Sequence, residues 1–183
     1  EAQFTSPVLD FFDERGQLVR VALGRRARNG GCFVHTPDLS PDGLPADSAH
    51  GSRLTWVLAD EAKTAEFARQ LAPLLAPGMV VWLDGDLGAG KTTLVRALLR
   101  ALGHRAPVKS PTYTLVEVYV ISSIYWYHFD FYRFNDPEEF ADAGMAEYFR
   151  DDAVCLVEWP EKAAGHVPRP DLALVFSFSA DQR

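Results

Sequence analysis

Cysteine is scarce in this chain: Cys32 and Cys155 are the two in 183 residues. Two thiols are too few for a disulfide framework or a four-ligand zinc site, and they fit a reducing cytosol. No run approaches the eighteen apolar residues of a membrane span, so a cytoplasmic protein with no membrane partner is expected. Positive charge is also short. Lys and Arg number 18 against 25 Asp and Glu, for a net charge of −7, which excludes a broad basic face for nucleic acid. The first residues show no basic-then-apolar signal pattern. The chain opens on Glu1 rather than Met, which reads as a processed end or a fragment. Internal repeats are absent. What the chain does have is 48% hydrophobic and 23% charged residues, a balance that buries a core and excludes disordered, collagen-like and coiled-coil classes.

The clearest change of composition falls between Gly30 and Ser52. There Thr36 to Pro45 carries three prolines without periodicity and reads as a linker. Upstream, Phe11-Phe12 and Leu18 to Leu23 flank Asp13-Glu-Arg-Gly16, a short hairpin pattern. The cluster Arg25-Arg26-Ala27-Arg28 reads as a solvated loop. Residues 1–52 thus form an extension and linker, and residues 53–183 the main domain.

From Arg53 the pattern becomes regular. Leu54 to Leu58 reads as a short strand. Asp60-Glu61 caps a helix whose Thr64, Phe67, Ala68, Leu71, Leu74 and Leu75 recur at helical spacing until Pro77-Gly78. Met79 to Leu83 is an apolar run suited to a strand buried on both faces of a parallel sheet. A helix over Thr92 to Leu102 ends at Gly103. Leu115 to Tyr119 and Tyr125 to Phe129 read as paired strands around Ser122-Ser123, and Asp136-Pro137-Glu138-Glu139 as a capped helix start. Ala153 to Val157 and Leu172 to Phe178 complete an alternating α/β pattern.

Gly85-Asp86-Leu87-Gly88-Ala89-Gly90-Lys91-Thr92 satisfies G-x-x-x-x-G-K-[ST] between an apolar strand and a helix. A chain of this length matches by accident on the order of once in a hundred or less. The glycines let the chain wrap closely around phosphate. Successive N–H groups and the helix N-terminus then form an anion nest. Lys91 supplies a cation to the β- and γ-phosphates, and Thr92 a hydroxyl to Mg²⁺. The pattern points to a nucleoside triphosphate site.

Such a site needs a carboxylate at the C-terminal end of a neighbouring strand. Glu158 ends one apolar strand and Asp130 another, and the second of the pair is placed to orient the attacking water. His128 shares a strand face with Asp130; it reads as a core histidine or as a polar partner there. Arg133 either steadies developing negative charge or sits solvated beside Tyr132. No Asn-Lys-x-Asp element follows the P-loop, so guanine specificity is not expected. A small-metabolite kinase stays open, although the region after Thr92 shows no arginine cluster of the kind a kinase lid carries.

Four ordered segments carry a resemblance: Gly85 to Leu94, Lys109-Ser110-Pro111-Thr112-Tyr-Thr-Leu-Val-Glu117, His128-Phe-Asp-Phe-Tyr-Arg133 and Val157-Glu-Trp-Pro160. Over residues 54–183 the chain resembles the bacterial TsaE (YjeE) family, the ATPase component of tRNA threonylcarbamoyladenosine biosynthesis. The resemblance implies a P-loop NTPase fold, α/β with a central mostly parallel sheet, antiparallel additions and flanking helices. It implies ATP and Mg²⁺ as cofactors and weak intrinsic turnover. Its implied partners are TsaB and TsaD family proteins, with tRNA reached through them. By motif, Gly85 to Thr93 hold the phosphates, Thr92 and Glu158 the metal, and Asp130 is catalytic along with Lys91. Ser110-Pro111-Thr112 matches the family's mobile switch, and Trp159 the tryptophan after the metal-binding acid. Glu61 and Thr64 fall where the family meets the base. Family members also run past the position of Arg183. Residues 53–183 hold 13 basic and 18 acidic residues, which fits recruitment through proteins rather than direct tRNA binding. Besides the kinase, a module that binds ATP without hydrolysing it remains open.

Overall fold

The computed structural model describes residues 8–12, 18–22, 56, 58 and 60–176. The chain divides into two units, Glu1–Val57 and Leu58–Arg183. In the first, β1 (Val8–Phe12) pairs antiparallel with β2 (Leu18–Ala22), Val8 opposite Ala22 and Phe12 opposite Leu18. This is the hairpin the sequence pattern anticipates. Its turn, the basic cluster 25–28, Cys32 and the linker 36–45 lie outside the described residues. Of the strand expected over 54–58, Trp56 and Leu58 have irregular backbone, and the other three positions lie outside the described residues.

The second unit opens with α1 (Glu61–Leu71), capped by Asp60, whose carboxylate accepts from the Lys63 amide at 2.8 Å. The helical pattern runs to Leu75, but Pro73 has no N–H to donate to the ladder. Residues Ala72–Leu74 therefore form a 3₁₀ turn instead. Thr64, Phe67, Ala68 and Leu71 make one buried stripe. After Gly78 comes β3 (Val80–Gly85), then the P-loop and α2 (Lys91–Ala101), with Leu94, Val95, Leu98 and Leu99 buried. Since α1 leads into the start of β3 and α2 leaves from its end, both helices run back along the sheet. They pack side by side with their N-termini at the P-loop end.

β4 (Val116–Ile121) and β5 (Ile124–Asp130) form an antiparallel pair. Their two-residue turn places Ser122 and Ser123 both at positive φ, the geometry whose twist matches the flanking strands. Asp136-Pro137 form a turn rather than the expected cap and first helical residue: Asp136 Oδ1 accepts from the Glu138 amide at 3.0 Å, and the Glu139 carboxylate accepts from the Asn135 and Asp136 amides. The helix that follows, α3 (Glu139–Asp142), lasts one turn. β6 (Ala153–Glu158) and β7 (Leu172–Phe176) complete a five-stranded sheet in the order β4-β5-β6-β3-β7.

β5, β6, β3 and β7 are parallel neighbours, and β4 is the antiparallel addition. β6 lies mid-sheet and is buried along its whole length, as its uninterrupted apolar run requires. One face packs on α2, which meets β3 and β6 and carries α1 beside it. The other carries an aromatic cluster of Phe129, Phe131, Phe134, Phe140 and Tyr127 with Met145 and Val157, including stacked rings at 5.0 Å for Phe129–Phe149 and 4.9 Å for Phe131–Phe134. Among the described residues, no helix is long and apolar enough to cross a membrane.

Candidate functional site

Three parallel strands end side by side, and each delivers one component. β3 runs into Gly85 and the P-loop, β5 ends on Asp130, and β6 ends on Glu158. Asp130 pairs in register with Glu158, and Leu83 of β3 pairs with Glu158 from the other side. Residues distant in sequence are thus fixed within one strand spacing of each other, at the sheet end where α/β folds collect ligands.

The P-loop turns on a bond from the Ala89 amide to the Asp86 carbonyl, 3.1 Å. Gly90 caps α2 at φ 103, in the left-handed region, with open space where a Cβ would stand. Gly85 has a different reason to be glycine. At φ 140 it passes so close to β7 that a Cβ would lie 2.5 Å from the Phe176 carbonyl oxygen. Asp86 and Leu87 are exposed on the loop.

Lys91 is buried, at 4% exposure. Its ammonium donates to the Gly85 carbonyl and to the Asp86 carbonyl, the latter at 3.0 Å, and lies 3.8 Å from the centre of the Trp159 ring. Burial lowers its pKa from the ordinary lysine value, against the opposing pull of Glu158, Glu161, Asp130 and Asp84. Trp159 holds its ring there from a left-handed backbone, φ 58, and Tyr132 packs on it at 5.0 Å.

Glu158 is 3% exposed. Its Oε1 accepts from Thr92 Oγ1 at 2.8 Å and faces His128 Nε2 at 2.8 Å. His128 is fully buried and its Nδ1 finds no protein partner. The tautomer consistent with this puts the proton on Nε2, donating to the carboxylate. His128 is therefore the polar partner of Glu158, across the strand pair, rather than of Asp130 on its own strand. Asp130 has its own set: Oδ2 accepts from Ser110 Oγ at 2.7 Å and Thr112 Oγ1 at 2.6 Å, and Oδ1 from the Tyr132 amide at 3.0 Å. The Ser-Pro-Thr segment is thereby tied to the end of β5, with Pro111 buried beneath it.

Thr92 and Glu158 together offer a hydroxyl and a carboxylate in contact. Mg²⁺ takes hard oxygen donors and is held through one or two protein ligands plus water and phosphate oxygens, so this donor pair fits it. Among the described residues, no group of three or more His, Cys, Asp or Glu forms a metal cage.

Glu61 and Thr93 line the upper end of a groove of about 430 Å³ between α1 and α2. Thr64 does not line it: it is buried, and its hydroxyl donates to the Asp60 carbonyl at 3.0 Å. The Arg133 guanidinium lies 4.1 Å from the centre of the exposed Tyr113 ring. Sequence reasoning missed Glu161, exposed at the surface yet close enough to Lys91 to feel its charge, with a carboxyl pKa raised above the ordinary value chiefly by desolvation. Its place three residues after Glu158 was the available signal. The arginines were missed as well. Arg96 and Arg100, one turn apart on α2, face the same groove as Arg69 of α1. They form no run in the sequence; helical spacing and a second helix bring together what the sequence spreads out.

The family model for "Threonylcarbamoyl adenosine biosynthesis protein TsaE" matches residues 58–183. The chain belongs to the TsaE family. It is 44% identical over 135 residues to the tRNA threonylcarbamoyladenosine biosynthesis protein TsaE of Haemophilus influenzae, covering 71% of this chain and 85% of that one. The Bacillus subtilis TsaE is 37% identical over 129 residues, covering 70% and 80%. The crystal structure of Bacillus subtilis YdiB superposes with a TM-score of 0.57 at 33% identity, covering 69% of this chain and 78% of that one. The P-loop NTPase fold follows from that likeness together with the sheet order above.

Proposed function

We propose that this TsaE-family chain is a Mg²⁺-dependent ATPase serving tRNA threonylcarbamoyladenosine biosynthesis through ATP binding and slow hydrolysis. Its partners in this reading are TsaB and TsaD family proteins, with tRNA reached through them. The names of its relatives support the pathway. The observation that carries the chemistry is the 2.8 Å contact between the Thr92 hydroxyl and the buried Glu158 carboxylate at the P-loop. In this reading residues 53–183 are the ATPase domain, and residues 1–52 an extension without an assigned role.

The loop amides of Gly85 to Thr93 bind the phosphates, and Lys91 leaves its carbonyl contacts to meet the β- and γ-oxygens. Thr92 and Glu158 hold the metal, which when bound neutralises charge developing on those oxygens. His128 holds Glu158 in place. Asp130 orients the attacking water. Its Oδ2 is engaged by Ser110 and Thr112, which links the Ser-Pro-Thr segment to this carboxylate and supports reading that segment as the switch. Trp159 parks the Lys91 ammonium, and the base lies toward Glu61.

Lys91→Ala tests the assignment: hydrolysis falls by about 10²–10³-fold, the loss typical when one donor to developing charge is removed. Assays with and without TsaB and TsaD, and with candidate metabolite acceptors, separate the alternatives. Phosphate transferred to a metabolite faster than to water favours a kinase, and partner binding that needs ATP but never consumes it favours a binding module. Turnover unchanged by Lys91→Ala sinks the assignment.

A further inference from the structure

In an acidic chain, residues 87–116 hold Lys91, Arg96, Arg100, Arg105 and Lys109 and no acidic residue. Lys91 turns inward to the P-loop, whereas Arg100, Arg105 and Lys109 are exposed. The outward face of α2 lies against α1 along the groove of about 430 Å³, whose walls include Arg96 and Arg100 from α2 and Arg69 from α1. Its floor is lined by alanines of both helices. Because the two helices run in the same direction, Arg69 and Arg100, each in the last turn of its helix, stand at the end away from the nucleotide site. Glu61, the one carboxylate on the groove, stands at the opposite end.

Two helix C-termini meet here, and capping their dipoles is the ordinary reason for an arginine in a last turn. Each terminus carries about half a negative charge, so with Glu61 counted the three guanidiniums leave the groove an excess of about one positive charge, gathered at the end away from Glu61. Among the described residues, neither Arg69 nor Arg100 is paired with a carboxylate. Arg96 donates from Nε to the Val108 carbonyl at 3.4 Å, which uses one of its five N–H groups.

We infer that this groove receives an acidic segment of a protein partner, with carboxylates on the arginines and small apolar side chains on the alanine floor. The inference rests on the reading that the chain works with protein partners, and it adds where one of them binds. The observations favour protein over RNA. An alanine floor offers nothing to a sugar-phosphate backbone, and an apolar strip with a charged rim suits an amphipathic helix laid in a groove. The net charge of −7 also repels a long polyanion, whereas a short acidic segment meets chiefly the local field, within a Debye length of about 8 Å at physiological salt.

The test is the double charge reversal Arg69→Glu with Arg100→Glu in the full chain, neither residue being part of the phosphate site. Binding to a purified TsaB–TsaD pair is measured with ATP and Mg²⁺ present, at low and physiological salt. The expected result is at least a tenfold loss of affinity, larger at low salt, with ATP affinity unchanged and with binding retained by Arg69→Lys with Arg100→Lys. Unchanged partner affinity in the reversal variant overturns the inference while leaving the ATPase reading intact. A large drop in the melting temperature of the isolated chain reads instead as lost capping of the two helix C-termini; affinity is then measured on Arg69→Gln with Arg100→Gln, and unchanged partner affinity there overturns the inference equally. So does tRNA binding by the wild-type chain alone that the reversal abolishes. Wild-type chain that never binds the pair overturns the partner reading and this inference with it.

Discussion

Replacing Glu158 with Gln separates the two duties of that side chain. The carboxylate is 3% exposed and takes bonds from Thr92 Oγ1 and His128 Nε2, both at 2.8 Å. Glutamine keeps the volume and one acceptor oxygen but removes the charge. A bond to a charged group contributes about 1.5–3 kcal/mol and a neutral one about 0.5–1.5, so the two bonds together weaken by about 2 kcal/mol. Against this, the folded chain no longer buries a carboxylate, and that desolvation costs several kcal/mol per ion. The two effects oppose, and Glu158→Gln should melt near the wild-type temperature. Metal binding has no such offset, since an amide oxygen brings no charge to Mg²⁺. Losing about 2–3 kcal/mol there lowers affinity roughly 30- to 150-fold. The assay is calorimetric titration with ATP, once with excess Mg²⁺ and once with a chelator. In the chelator, wild type and variant should agree within a few-fold. With Mg²⁺, the gain seen for wild type should collapse in the variant. An undiminished gain from Mg²⁺ would refute the reasoning, because Glu158 would then not hold the metal.

Other outcomes follow from the same contacts. Gly85→Ala forces a Cβ to within 2.5 Å of the Phe176 carbonyl oxygen at φ 140; strain of this kind costs about 1–3 kcal/mol or more, and a chemical-denaturation midpoint at or above wild type would count against it. His128→Gln keeps a donor toward Glu158 and should preserve Mg²⁺-dependent ATP affinity, whereas His128→Phe should lower it; equal affinity in both would show that the histidine only fills space. Burial raises the Cys155 thiol pKa to about 12 from 9.0 and also raises the phenols of Tyr119 and Tyr127. Above pH 9 the unfolded chain therefore holds fewer protons at Cys155 than the folded one, and stability falls as pH rises, by about 1.4 kcal/mol per pH unit at most for that thiol, with the two phenols adding in the same direction only above about pH 10. Melting temperatures between pH 8 and 10.5 check the slope, and peptide mapping after iodoacetamide at pH 8.5 should find Cys155 unmodified until the chain is unfolded.

Much of this was legible in the sequence because the signals are local. The G-x-x-x-x-G-K-T pattern, the apolar runs of β3 and β6 and the Asp60 cap each depend on residues a few positions apart. Strand-end carboxylates were legible for the same reason, since an acid closing an apolar run must stand at the edge of the sheet. What stayed hidden depends on register and packing. That Asp130 lies opposite Glu158, so that His128 reaches across to Glu158, is set by pairing between β5 and β6. Gly85 reads as a phosphate-loop glycine, yet the close approach of Phe176, far along the chain, also requires it. The helix run to Leu75 was cut short by Pro73, and the three arginines meet because two helices run in the same direction.

The claim on which the rest depends is that the P-loop, Lys91 and the Thr92–Glu158 pair grip the phosphate tail of ATP through Mg²⁺. Equilibrium binding of ATP, ADP, AMP and adenosine to the wild-type chain, with and without Mg²⁺, tests it most directly. Affinity should rise steeply once the β-phosphate is present, and Mg²⁺ should tighten ATP far more than AMP. If ATP bound no tighter than AMP, or if Mg²⁺ made no difference to ATP, the account of the site would be contradicted.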